Sequence, residues 1–143
     1  NYPSQKTRPK EGQLRAGAHS DYGSLTICRI EDKPGGLQAQ NADGNWVDVP
    51  VVDNAFSVNI GDLMMQWTND EWVSTVHRVI NPPVENAENS RRQSLIFFHQ
   101  PNYDAMVECF PSCQSEKNPA KYEPISSGDH LRNKFVKQTT YDQ

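Results

Sequence analysis

Three side chains in this sequence could hold one metal ion. His19 and Asp21 stand two residues apart in Ala18-His19-Ser20-Asp21-Tyr22. In a strand, residues two apart point to the same face, so an imidazole and a carboxylate would converge on one point. Taken alone the pair says little. With four histidines and ten aspartates, a His-x-Asp arises by chance with a probability of about 0.3. Its ordinary reading is a surface His beside a turn Asp. The third residue is His77, in the β-branched run Ser74-Thr75-Val76-His77-Arg78-Val79. By itself His77 reads as a hydrogen-bonded core histidine. Two neutral imidazoles and one carboxylate, however, are the ligand set that binds Fe(II) and leaves coordination positions open on one side. The same set also serves Zn(II), and the three residues do not choose between the metals.

A second pair narrows the chemistry. Arg92-Gln93-Ser94 places a guanidinium and a hydroxyl on one strand face. Arg is the side chain best matched to a carboxylate, through a two-point fork. Ile96 and Phe98 continue that face, so Arg92 is expected at the polar end of an apolar wall. No acidic residue sits at the matching spacing, which leaves room for the far carboxylate of a small metal-bound dicarboxylate. Read blandly, Arg92 is an exposed strand residue paired with a surface acid. Arg91 has the opposite parity and fits that bland reading better.

These residues need rigid elements. Leu25–Ile30, Leu37–Gln40, Trp46–Pro50 and Phe56–Ile60 are short alternating runs, separated by the turn signals Lys33-Pro34-Gly35-Gly36, Asn41-Ala42-Asp43-Gly44-Asn45 and Gly61-Asp62. Leu63–Thr68 and Val73–Ile80 are further apolar runs, and Arg92–Gln100 is a strand candidate stopped by Pro101. Short strands with a turn every 8–12 residues or so predict an all-β sandwich or barrel with roughly seven strands. A helix pattern emerges only at 128–138, capped by Ser127 or Asp129. The 143 residues fit one domain, and a charged fraction of 22% against 35% hydrophobic suits a folded chain. A net charge of −4 with scattered Lys and Arg argues against a nucleic-acid surface. No apolar run approaches the roughly 20 residues of a membrane span, and no signal peptide is visible. Three cysteines make no disulfide framework, so a reducing, cytoplasmic compartment is expected. Cys109 and Cys113 lack a second ligand pair for zinc, His99 and His130 read as bland, and Trp46 and Trp72 read as packing residues.

The motifs in this order resemble the 2-oxoglutarate- and Fe(II)-dependent dioxygenases, in the branch of isopenicillin N synthase. The likeness rests on Ala18-His19-Ser20-Asp21-Tyr22-Gly23-Ser24-Leu25-Thr26, Gly35-Gly36-Leu37-Gln38, Trp46 through Val49, Asn59-Ile60-Gly61-Asp62, Thr75-Val76-His77-Arg78-Val79 and Arg92-Gln93-Ser94-Leu95-Ile96-Phe97-Phe98. The segment from Pro119 through Phe135 is similar to the C-terminal part of bacterial and fungal members. The resemblance implies that His19, Asp21 and His77 ligate iron and that Arg92 and Ser94 bind the distal carboxylate of 2-oxoglutarate. Tyr2, before Pro3, is similar to a family Tyr-Pro whose phenol reaches the same cosubstrate. It also implies a double-stranded β-helix (a jelly roll) with a C-terminal helix. The core would cover 1–101, and 102–143 would be an extension. Fe(II), 2-oxoglutarate and O2 are the implied cofactors. The reaction would hydroxylate or desaturate a small organic substrate, releasing succinate and CO2. Asn59, Trp67 and Phe98 are candidates for the pocket wall or its support.

Family members are about twice this length, which exceeds the usual domain size of about 100–150 residues. The chain starts at Asn1 without Met, so it is expected to be the C-terminal catalytic half of a longer protein, lacking the N-terminal region. Two alternatives stay open. One is an isopenicillin N synthase-type oxidase, in which Arg92 and Ser94 hold a substrate carboxylate instead. The other is a non-catalytic β-sandwich binding module in which His19, Asp21 and His77 never meet. The expected partner is a small molecule, with no nucleic acid and no membrane. The oligomeric state is left open, a monomer being favoured.

Overall fold

The computed structural model describes residues 1–5, 8–33 and 36–140. Pro34 and Gly35, from the expected turn and from the Gly35-Gly36 motif, lie outside the described residues. The strands are β1 (Ala16–His19), β2 (Leu25–Ile30), β3 (Leu37–Gln40), β4 (Trp46–Asp48), β5 (Ser57–Ile60), β6 (His77–Val79), β7 (Ser94–His99), β8 (Met106–Val107) and β9 (Ile125–Ser126). Helix α1 spans Asp62–Trp67 and α2 spans Ser127–Thr140. The sheets have the orders β1-β6-β3-β4, β5-β2-β7 and β8-β9. Among the described residues no helix is long and apolar enough to cross a membrane.

The chain divides into two units, one of Asn1–Ser20, Ile27–Val58 and Thr75–Phe97, the other of Asp21–Thr26, Asn59–Ser74 and the residues from Phe98 onward. In the first, the β3–β4 hairpin turns on Asn41, whose Oδ1 accepts from the amides of Asp43 (3.1 Å) and Asn45 (2.8 Å). Gly44 supplies the positive φ of +80° that the turn needs. Register then builds a ladder across three strands, because Gln38 faces both Asp48 and Arg78. Arg78 Nε donates to Gln38 Oε1, and Gln38 Nε2 donates to Asp48 Oδ1, each at 2.9 Å. The Arg78 guanidinium lies 4.1 Å from the centre of the Trp46 ring, a cation–π contact. Since neighbours in a strand alternate, His77 is turned to the opposite face, level with Ala39.

The second unit packs around Leu63, which is fully buried. Trp67 stacks on Phe110 with ring centres 5.9 Å apart. After α1 the chain turns through Asn69 and Asp70 with φ of +52° and +69°, the left-handed conformation that ends many helices. Asn69 Nδ2 donates to the carbonyls of Cys113 and Pro119 (3.1 and 3.2 Å), and its Oδ1 accepts from the Lys121 amide at 2.9 Å. Asp70 takes Lys121 Nζ at 2.8 Å and the Tyr122 hydroxyl at 2.6 Å. Helix α2 adds an ion pair from Lys134 to the buried Asp62.

Several expectations change here. Leu63–Thr68, an apolar run by sequence, overlaps α1 instead of forming extended chain. The run Val73–Ile80 contributes only three strand residues, His77–Val79. Trp72 is 54% exposed and does not pack as a core residue. Ile96 and Phe98, which continue the Arg92 face by sequence, are 47% and 54% exposed. The strand count rises to nine among the described residues, since two-residue β8 and β9 carry too little pattern to read.

Candidate metal centre and carboxylate anchor

Antiparallel pairing of β1 with β6 sets His19 directly opposite His77. The register shifts between Ala16 and His19, an irregularity of the kind that re-aims a side chain. The two rings lie 4.4 Å apart, tilted by 56°. His19 Nδ1 sits 2.8 Å from the Gly17 carbonyl, and His77 Nδ1 sits 3.0 Å from the Thr75 carbonyl. A carbonyl only accepts, so each Nδ1 carries a proton, and Nε2 is the ring nitrogen left for a metal to take. That is the tautomer a metal requires, held by an outer hydrogen bond.

Asp21 is 5% exposed, and its Oδ2 accepts from Asn59 Nδ2 at 2.8 Å. Its backbone is fixed by the start of α1. The amide of Asp62 donates to the Asp21 carbonyl (2.8 Å) and that of Leu63 to the Gly23 carbonyl (3.0 Å). The first amides of a helix have no partner within it. Here they take the carbonyls of the Asp21 loop, in place of a side-chain cap. A Cβ at Gly61 would overlap the Gly23 carbonyl, which explains why the turn before α1 is glycine. One ligand atom each from His19, Asp21 and His77 lie within 4.8 Å of one another. Two imidazoles and a buried carboxylate so placed suit a divalent ion.

Arg92 is 1% exposed. It pairs with Tyr2 through backbone bonds of 2.8 and 2.9 Å, one residue pair outside the regular strands. Nη1 donates to Ser94 Oγ at 3.2 Å, whereas Nε has no hydrogen-bond partner. The guanidinium lies 4.4 Å from the centre of the Tyr2 ring. Burial pulls its pKa below the ordinary value, the Tyr2 phenol opposes this, and the charge of Arg15 adds to it. No carboxylate pairs with Arg92 among the described residues. A buried guanidinium with donors to spare calls for an anion.

Other flagged residues are placed as follows. Phe98 stands exposed and Trp67 is engaged with Phe110. His99 is exposed, with Nδ1 at 2.7 Å from Ser24 Oγ. His130, read as bland, is 5% exposed in α2, where burial, then Lys134, lowers its pKa. Sequence reading missed Arg15 and Ser90, which have no motif and whose partners include backbone carbonyls.

A family profile of the 2OG-Fe(II) oxygenase superfamily matches residues 1–101. The chain belongs to the 2OG-Fe(II) oxygenase superfamily. Among curated relatives, a 2-oxoglutarate-Fe(II) type oxidoreductase, hxnY of Emericella nidulans, is 39% identical over 94% of this chain and 38% of its own length. A homoarginine-6-hydroxylase of Oryza sativa subsp. japonica is 36% identical over 94% of this chain and 40% of its own. Among solved structures, full-length Neurospora crassa T7H with alpha-KG and thymine superposes with a TM-score of 0.82 at 38% identity, covering 90% of this chain and 39% of that one. The chain thus spans about 40% of the length of these oxygenases. The fold is the jelly roll of this superfamily, mostly antiparallel strands with a C-terminal helix.

Proposed function

We propose that this chain is the catalytic part of a 2-oxoglutarate-dependent Fe(II) oxygenase that hydroxylates or desaturates a small organic molecule, releasing succinate and CO2. In this reading His19, Asp21 and His77 hold the iron, Arg92 and Ser94 bind the far carboxylate of 2-oxoglutarate, and Tyr2 contacts the same cosubstrate. Iron bound there, with 2-oxoglutarate and O2, supplies the oxidising power that removes hydrogen from a substrate carbon. The residues do the rest. Gly17 and Thr75 fix the imidazole tautomers, and Asn59 orients the Asp21 carboxylate. Ser94 orients the Arg92 fork. Residues 1–101 are read as the core and 102–143 as a C-terminal extension. Three buried cysteines, too few for a disulfide framework, support a cytoplasmic setting, and a monomer is the working oligomeric state.

One observation carries the cosubstrate assignment. Arg92 is buried, only partly hydrogen-bonded and, among the described residues, unpaired with any acid. A dicarboxylate supplies the missing acceptor, in keeping with the family and with alpha-KG in the T7H structures. The test is succinate release coupled to turnover by the intact protein. Stoichiometric succinate supports the reading. Substrate oxidation without succinate would reassign Arg92 and Ser94 to a substrate carboxylate.

A further inference from the structure

Arg15 lies outside every motif that the sequence presents, yet it is bound at three points. Its backbone amide donates to the Val79 carbonyl at 2.9 Å, which fixes the residue immediately before β1. From there the guanidinium reaches the Pro3 carbonyl through Nη2 (3.1 Å), the Ser90 carbonyl through Nη1 (3.3 Å) and Ser90 Oγ through Nη2 (3.1 Å). None of these acceptors is a carboxylate. Ser90 is fully buried, and its Oγ also lies 3.3 Å from the amide of Gln5, whose main contact is the Ala87 carbonyl at 3.0 Å. The segment 2–5 is thereby fastened to 87–92 at both ends, by Tyr2 with Arg92 and by Gln5 with Ala87 and Ser90. Arg15 ties the middle.

The consequence falls on Arg92. Tyr2 lies against its guanidinium at 4.4 Å, and Arg15 is itself 5.8 Å from the centre of the same ring. Two like charges near one aromatic ring are costly, and burial lowers the pKa of both guanidinia. The arrangement is tolerable because the ring attracts both cations and because Arg15 is engaged by two backbone carbonyls and the Ser90 hydroxyl. A guanidinium can serve three acceptors in one rigid fork, whereas an ammonium cannot hold that geometry.

We propose that Arg15 is a positioning residue for the cosubstrate, clamping the segment that carries Tyr2 so that Tyr2 stays across the Arg92 guanidinium. The proposal rests on the reading of Arg92 as the 2-oxoglutarate anchor. Arg15 touches neither iron nor cosubstrate in this scheme. It acts through Tyr2.

The test uses the intact protein, loaded anaerobically with Fe(II) and titrated with 2-oxoglutarate by its metal-to-ligand charge-transfer absorbance. Arg15→Gln and Arg15→Lys should each weaken 2-oxoglutarate binding by about tenfold, raise KM for 2-oxoglutarate more than they lower kcat, and leave Fe(II) affinity within about twofold. Tyr2→Leu should give a similar loss, and the double variant Tyr2→Leu with Arg15→Gln should be no worse than Tyr2→Leu alone. Wild-type affinity in Arg15→Lys would mean that charge alone matters, and the clamp is wrong. Losses that multiply in the double variant would also overturn it. Arg92→Lys is measured in parallel. If that variant keeps full 2-oxoglutarate affinity, the anchor reading itself has failed, and the clamp falls with it. If the Arg15 variants do not fold, Ser90→Ala decides, with about a threefold loss expected and no loss refuting the clamp.

Discussion

Asn69 and Arg92 are 2% and 1% exposed, and the chain treats these two buried polar side chains differently. Around Asn69, both amide hydrogens and the amide oxygen are used within the chain, and neighbouring Asp70 is answered by Lys121 and Tyr122. Around Arg92, Ser94 takes one donor, Tyr2 covers the fork, and Nε is left without a partner. A buried polar group left open costs on the order of 1–3 kcal/mol, more when charged. The closed cluster is therefore what stability alone would build, and the open one is what a binding site requires. Buried polarity as such does not mark function, and neither does one open donor or acceptor, since Ser74 Oγ and His130 Nε2 are open too; a buried charge with no acid beside it is what points to a ligand.

The sharpest way to break this contrast is to exchange the two readouts. Asn69→Ala should lower stability by about 3 kcal/mol, because it strands buried carbonyls and an amide and leaves alanine in the left-handed region. Denaturant melts check the loss, and 2-oxoglutarate affinity per folded molecule should not move. Arg92→Lys should do the reverse. Cosubstrate affinity should fall about thirtyfold, roughly 2 kcal/mol, with stability changed by less than about 1 kcal/mol. Calorimetric titration beside a melt separates the two outcomes. A variant that loses both properties equally would erase the distinction.

Asn59→Ala tests a smaller link. Asn59 Nδ2 holds Asp21 Oδ2 at 2.8 Å, and removing such an outer hydrogen bond to a ligand costs about tenfold in metal affinity. Competition with a chelator measures it. Unchanged affinity would make Asn59 a packing residue only.

The smallest expected effect is a pH dependence of the closed cluster. Burial pushes the Asp70 carboxyl up, but hydrogen bonds from Lys121 and Tyr122 and the charge of Lys121 outweigh it and hold the carboxyl below its usual value. A depressed carboxyl stabilises the fold above its unfolded pKa of about 3.9 and loses that contribution as pH falls through the folded value. Melting temperatures between about pH 6 and pH 2 should drop less steeply at the acid end in Asp70→Asn than in the parent. The Tyr122 phenol, pushed up to about 12 mainly by its bond to Asp70, should ionise above the usual value of about 10 for a phenol in an absorbance titration. The same substitution should bring it down.

What the sequence revealed follows from where the information lies. Strands β2 and β3 match the alternating runs Leu25–Ile30 and Leu37–Gln40 residue for residue, since alternation is a local property. Helix α1 escaped notice because six residues are too few for a helical period. Its free amides are answered by the loop at Asp21, a tertiary contact no local pattern encodes. His19, Asp21 and His77 were readable because their side-chain types are scarce and chemically specific. Arg15 was not, because its acceptors are two backbone carbonyls and a serine hydroxyl, and any surface arginine would look the same. Trp72 misled for a related reason. Apolar character predicts burial only on average, and Trp72 stands more than half exposed.

The most direct measurement is anaerobic binding of Fe(II) and 2-oxoglutarate to the intact protein, compared with His77→Ala. One ion held by His19, Asp21 and His77, with 2-oxoglutarate beside it, should give a visible charge-transfer band in the parent and none in the variant. A folded parent with no band, or a band of full intensity in His77→Ala, would contradict the assignment.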